Sequence, residues 1–308
     1  LIIGRSLAMG EPLRLRIALS PLAHHQALRD GTVAVPGVSF DWVDAPRLPD
    51  IFARMGRGLE FDVCELSVMT YLLARQHELP ISAIPVVPRH AFHHGDFQVH
   101  TDAGISEPSD LEGKRVGTRS WTLTPGVLDR GILAGEYGVN LASITWVLAG
   151  EEHLREAEVR LPDNTVQSPG IDLFDALTSG VIDAGIAGVN VGRRRSAGVT
   201  ALFPDALELD RREYERTGIV PAFTTIVIHD RVLESRPWLA QALYEGFRDA
   251  RRYGLEPDPT VLEIVDSDPV PLGLSANRRS FEELIRLGEE QGILTVPLDV
   301  DTLFASVE

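Results

Sequence analysis

Strand and helix signals alternate along nearly the whole of this 308-residue chain, and that alternation constrains its fold more than any other feature. Short apolar runs at Leu13–Leu19, Val38–Val43, Phe61–Leu66 and Ile81–Val87 are separated by segments of helical period, His24–Arg29, Pro49–Arg57 and Val68–Gln76. Apolar runs with helices between them belong to α/β architectures rather than to segregated classes. A second set repeats the pattern, with strands at Arg115–Thr118, Ile144–Val147 and Ala184–Ala187 and helices at Pro125–Tyr137 and Leu173–Ser179. The segments Phe97–His100 and Ile219–Ile228 bracket this set and read as crossings between two lobes. The expected lobes are residues 13–101 with 206–308, and residues 102–205. Two hinged lobes leave a cleft, a common place for small-molecule sites. The charged, aperiodic stretch Gly150–Gly170 reads as a surface excursion.

Charge and composition exclude several function classes. A net charge of −16 argues against nucleic acid and anionic membrane as partners, since both need basic patches. A local group of arginines and N–H donors can still hold a small anion. Only Lys114 among the 29 basic residues is a lysine, which leaves Schiff-base chemistry a single nitrogen at a strand start, and no cofactor is expected. Cys64 stands alone in an apolar strand, so an intrachain disulfide is impossible and an inert thiol is the expectation. Phosphate-loop, dinucleotide and nucleophile-elbow patterns are absent. No run has membrane-helix length, and the first residues lack the cleavage pattern of an export signal, so a cytoplasmic location is expected. The sequence leaves a homo-oligomer open.

Arg119-Ser120-Trp121-Thr122-Leu123-Thr124 lies where a strand's carboxyl end meets a helix's amino end. The first N–H groups of a helix have no intrahelical partner and carry the positive end of its dipole, so such a corner favours anions. Ser120, Thr122 and Thr124 add hydroxyl donors and Trp121 an aromatic face; an ordinary capped junction would look the same. His24 follows the first strand at the sheet edge where ligands bind and is a candidate site residue; the alternative is a surface or capping histidine. Glu65 and Ser67 end another strand, placed to meet a ligand, or to serve as a buried acceptor and a helix cap. Asn190, with Gly188 and Val189, would face the same cleft. His90, His93 and His94 with Asp96 have a spacing a divalent metal accepts, but no second carboxylate–histidine pair stands out and no metal is assigned.

Several blocks go beyond a generic α/β reading. Phe61-Asp62-Val63-Cys64-Glu65-Leu66-Ser67 is similar to an FDVSEMS-type motif, and Lys114 to Leu133 resembles a KRVGVPEYQMTAAVWVRGIL-like block. Arg216–Ile228 and Asp268–Arg278 match in order as well, and from about residue 13 to 305 the chain resembles the 4,5-dihydroxyphthalate decarboxylase family. The resemblance implies a two-lobe clamshell of type II periplasmic-binding-protein type, with two mixed sheets flanked by helices and a cleft between lobes. It also implies non-oxidative decarboxylation of an aromatic, dihydroxyphthalate- or hydroxybenzoate-like carboxylic acid. Such a reaction needs an oriented carboxylate, a proton for the ring carbon and partners for the phenolic oxygens. The expected catalytic residues are His24, Glu65 and Ser67, and the expected binding residues His90, His93, Ser120, Trp121, Thr122, Thr124, Asn190 and Phe223.

The chain departs from the family near this cleft. His90 and His93 stand where the family has arginines, Phe223 where it has histidine, and Trp121 where it has tyrosine, while Val270 and Leu272 replace aromatics. Fewer fixed charges imply an altered, less anionic ligand. If these histidines hold the acid, binding should weaken as pH rises through neutrality. A solute-binding or sensor protein that closes on an organic acid without altering it would use the same fold. So would an enzyme for a chorismate-derived acid.

Overall fold

The computed structural model of the chain describes residues 11–45, 47–155, 159–187 and 197–307. Among these residues eleven strands, β1 to β11 in chain order, form two mixed sheets. The first contains β1 (Leu13–Ala18), β2 (Val38–Trp42), β3 (Val63–Ser67), β4 (Ile81–His90) and β11 (Ala222–His229), in the order β2-β1-β3-β11-β4. β1 runs parallel to β2 and β3, whereas β11 runs antiparallel to β3 and β4. The second contains β5 (Gln98–His100), β6 (Arg115–Thr118), β7 (Thr145–Leu148), β8 (Thr165–Gln167), β9 (Ala184–Gly185) and β10 (Val199–Ala201), in the order β10-β5-β9-β6-β7-β8. The chain thus leaves the first sheet after β4, builds the second, and returns as β11. Both segments read as crossings end in strands, and the links proper are residues 91–97 and 202–221.

Local chemistry explains the strands that carry the cleft. Every residue of β3 is buried, so it shows a continuous run instead of alternation, with Glu65 as the one charge inside it. β4 holds Pro85 and Pro88, which a strand tolerates because it lies at the sheet's edge, and its register against β11 is irregular near Thr224. Arg89 and His90 end this strand at the mouth of the sheet.

Ten α-helices, α1 to α10 in chain order, cover the sheets among the described residues. α3 (Val68–Gln76) follows β3 with no intervening residue, and α4 (Thr124–Gly135) opens on Thr124-Pro125, with proline in the first turn, where its missing N–H costs nothing. These two helices and α10 (Leu274–Glu290) pack on one another and join the lobes. One apolar cluster runs from Phe52 and Met69 through Val127 and Leu287 to Trp146.

Gly150–Gly170 is not a surface excursion throughout. Thr165–Gln167 pairs with β7 as β8, and Glu152, His153 and Leu154 are buried. Single anchoring residues in a charged stretch leave no periodic trace, because their partners come from distant elements. One anchor is the backbone of His153 against α2 (Leu48–Gly58): a Cβ added at Gly56 would lie 2.5 Å from His153 O, whereas one at Gly58 would meet nothing within 4 Å. Gly56→Ala should therefore destabilise the protein by about 1–3 kcal/mol. Gly58→Ala should be neutral or stabilising by up to about 1 kcal/mol, with denaturant unfolding as the measurement for both.

Candidate active site

The carboxyl end of the first sheet is organised by Glu65, which is fully buried. Its Oε2 accepts hydrogen bonds from Ser20 N (3.1 Å) and Ser20 Oγ, and its Oε1 accepts from Thr224 Oγ1 (2.8 Å) and Arg89 Nε (3.3 Å). Burial pushes the carboxyl up, but Arg89, His25 and these hydroxyls outweigh it and hold Glu65 below its ordinary value. Beside it, His25 Nδ1 donates to Ser20 O (2.9 Å), and His24 packs edge-on at 4.4 Å between ring centroids. Burial, then His25, pushes His24 down to about 3, so its imidazole is neutral.

Above this floor lies an interlobe cleft of about 670 Å³. Arg89, His90 and Phe223 line it from the first sheet, Arg119, Leu123 and Pro125 from the turn after β6 and the start of α4, and His93 from the link between the sheets. Arg47 also lines it, paired with Asp50 at 2.8 Å. Arg119 is half-buried and has no ion pair among the described residues. A recess of about 570 Å³ shares Arg47, Pro49 and Arg119 with the cleft, and His93 also borders a third recess of about 720 Å³.

The two cleft histidines have opposite character. His90 is buried, and its Nε2 lies 2.8 Å from Asn277 Oδ1; burial, against this hydrogen bond, pushes it down to about 4. For His93, burial pulls down, but the Asp96 carboxylate at 2.9 Å, with Asp129 and Asp210, pushes the imidazole up to about 9. Asp129 is fully buried, with Oδ1 unpartnered and 3.7 Å from His93 Nδ1; burial and the Asp96 charge push it well above the carboxylate range. His93 Nε2 has no partner.

The turn at residues 119–124 holds a carboxylate, and it comes from the chain itself. Glu152 accepts from Trp121 N (2.5 Å), Thr122 N (3.0 Å) and Thr122 Oγ1 (2.5 Å). Arg130 stacks 3.7 Å from the Trp121 ring centre and donates to Trp121 O (2.6 Å) and Gln291 Oε1 (2.8 Å). Thr124 Oγ1 lies 2.7 Å from Ser67 Oγ and accepts from Met69 N (2.9 Å), so a side chain of one lobe caps α3 of the other.

No family model matches the chain. The 4,5-dihydroxyphthalate decarboxylase of Comamonas testosteroni is 34% identical over 254 residues, spanning 79% of this chain and 76% of that protein. The chain belongs to the 4,5-dihydroxyphthalate decarboxylase family. The enzyme of that name from Pseudomonas putida is 34% identical over 180 residues, 56% of this chain and 69% of its own length. The fold is that of the periplasmic aliphatic sulphonate binding protein SsuA from Escherichia coli, at a TM-score of 0.59, 16% identity and coverage of 96% and 98% of the two chains. The desulfurization enzyme DSZB shares it, at a TM-score of 0.57, 16% identity and coverage of 95% and 96%. These likenesses establish the type II periplasmic-binding-protein clamshell expected from the sequence.

Within this family member, the structure brings His90, His93 and Phe223 together in the cleft. Glu65 lies beneath it on Arg89, with His24 beside it. Ser67, Thr122 and Thr124 are engaged within the protein, and Ser120 Oγ and Trp121 Nε1 are buried without partners. Asn190 lies outside the described residues. Arg47, Arg89 and Arg119 were missed as lining residues, although Arg119 is the first residue past β6, where open sheets meet ligands. Two groups, His93 with Asp96 and Asp129, and His94 with Glu136 and Glu213, bring metal-capable atoms within 4.8 Å. In both, burial pulls the histidine down, but neighbouring carboxylates push it up to about 9.

Neither cleft histidine titrates near neutrality, which changes the expected pH profile. A raised pKa means that the His93 charge is present below about 9 and lost as pH rises through that value. Calorimetric affinity for phthalate should stay level across neutrality and weaken only towards pH 9; Asp96→Asn should move the decline towards neutrality.

Proposed function

We propose that the protein is a non-oxidative decarboxylase of a hydroxylated aromatic carboxylic acid, acting in the interlobe cleft. The observation that carries this reading is the pairing, in one cleft, of Arg119, whose guanidinium has no ion pair among the described residues, with His93, whose imidazole is hydrogen-bonded to the Asp96 carboxylate at 2.9 Å, in a chain 34% identical to enzymes of this name. Arg119 holds a carboxylate of the acid by charge-assisted hydrogen bonds. His93 delivers a proton to the ring carbon that bears the leaving carboxylate; the carbon–carbon bond then breaks, carbon dioxide departs, and the ring regains its aromatic electrons. Asp96 orients the imidazole and favours its charged form, and Asp129 lies beside it. His24, neutral and set below the cleft, supports the floor in this reading and is not the proton donor.

Carbon dioxide release from 4,5-dihydroxyphthalate and from hydroxybenzoates is the direct test. His93→Gln should lower kcat by about 10²- to 10⁴-fold with the acid still bound. Arg119→Met should weaken acid binding by about 1.5–3 kcal/mol. Binding of these acids without release of carbon dioxide from any of them would establish the solute-binding alternative instead.

A further inference from the structure

The side chain of Asn277, in α10, has a fixed orientation. Its Nδ2 donates to Pro271 O (2.8 Å) and Gly273 O (2.9 Å), which turns Oδ1 to face His90 Nε2 at 2.8 Å. Reversing the amide would set an oxygen against two carbonyl oxygens. Oδ1 can only accept, so His90 carries its proton on Nε2 and a lone pair on Nδ1. That Nδ1 is buried without a partner in a residue that lines the cleft and is 4% exposed. A buried acceptor left unpaired costs free energy that a ligand donor would recover. A ligand carboxylate offers only lone pairs and would be repelled, so His90 is not an equivalent of the arginine it replaces. The neutral donor that an aromatic acid can offer is a phenolic hydroxyl.

We propose that His90 Nδ1 is a subsite for a phenolic hydroxyl, through which the cleft selects hydroxylated aromatic acids over their ethers and over acids without the hydroxyl. The subsite rests on the reading of the cleft as the place where the acid binds, and it deepens that reading. When the ring carbon takes its proton, positive charge spreads to the ring hydroxyls. An acceptor on the hydroxyl proton stabilises that charge, so the hydrogen bond strengthens in the transition state. The tautomer is set from outside the cleft, by two backbone carbonyls acting through Asn277.

The test compares calorimetric affinities of the intact protein for 4,5-dihydroxyphthalate, 4,5-dimethoxyphthalate and phthalate. The dihydroxy acid should bind about tenfold or more tightly than either comparison compound, because a site built for a hydroxyl rejects analogues lacking it. His90→Gln keeps a donor for Asn277 while removing the Nδ1 acceptor, and should bring the three affinities within a few-fold of one another. In a measurement that needs no substitution, ¹⁵N spectroscopy of the histidines should find His90 Nδ1 unprotonated and shifted by the dihydroxy acid but not by the ether. Equal affinity for hydroxylated and unhydroxylated acids would overturn the subsite and leave the decarboxylase reading standing, and a protonated Nδ1 in the free protein would overturn it too. Hydroxyl-dependent binding without carbon dioxide release would uphold the subsite and remove the decarboxylase reading.

Discussion

The buried carboxylate of Glu65 is the constraint around which the first lobe is arranged. An ion moved out of water costs several kcal/mol, and the cost is offset only when its oxygens are surrounded by donors. Here the donors come from Ser20 just past β1, Arg89 on β4 and Thr224 on β11, while Glu65 itself sits on β3. Four strands therefore meet at one charge at the sheet's carboxyl end. The same contacts set the orientation of Arg89 and keep the β4 edge, with its two prolines and irregular register, aligned so that His90 reaches the cleft.

The two lobes meet through a second set of buried polar contacts, and these engage much of the anion-friendly corner from within the protein. Trp121 and Thr122 give their N–H groups to Glu152, and Thr124 spends its hydroxyl on Ser67 and Met69 of the facing lobe. A helix terminus is well suited to an anion of either origin, and an internal carboxylate has the advantage of being held nearby by the chain. In the proposed reading, recognition of an external acid falls to side chains at the rim, and Arg119, the first residue of this turn, is the one that no carboxylate of the described residues has claimed.

Elements held by local pattern were legible in the sequence. α3 and β6 fall where apolar period and flanking residues set them, and the order of strands and helices follows the alternation. What escaped depends on contacts made at a distance. Glu152 looked like one charge among many until the fold brought it to a turn 30 residues earlier in the chain. His90 and His93 share a residue type but not a state, because one meets an amide 187 residues away and the other a carboxylate three residues on. The second of these could have been read from the His-x-x-Asp spacing. The first could not, since nothing local marks Asn277.

In the proposed reaction, this difference between neighbouring histidines resolves a conflict inherent in decarboxylation. An enzyme that grips the departing carboxylate with arginine stabilises the ground state, and uniform binding of that kind does not raise the rate. The group that leaves as neutral carbon dioxide is better placed against apolar surface, which the cleft supplies at Phe223, Leu123 and Pro125. Fixed charge is then useful at a second carboxylate, where Arg119 stands, and mobile charge at the ring carbon, where His93 gives up a proton instead of holding an anion. A permanently charged arginine could not make that transfer, because it does not release its proton in the range where proteins work. Replacing an arginine by a histidine hydrogen-bonded to an aspartate thus retains the attraction for an acid and, in this chain, sets a proton donor at a position where the arginine of the family could not serve as one.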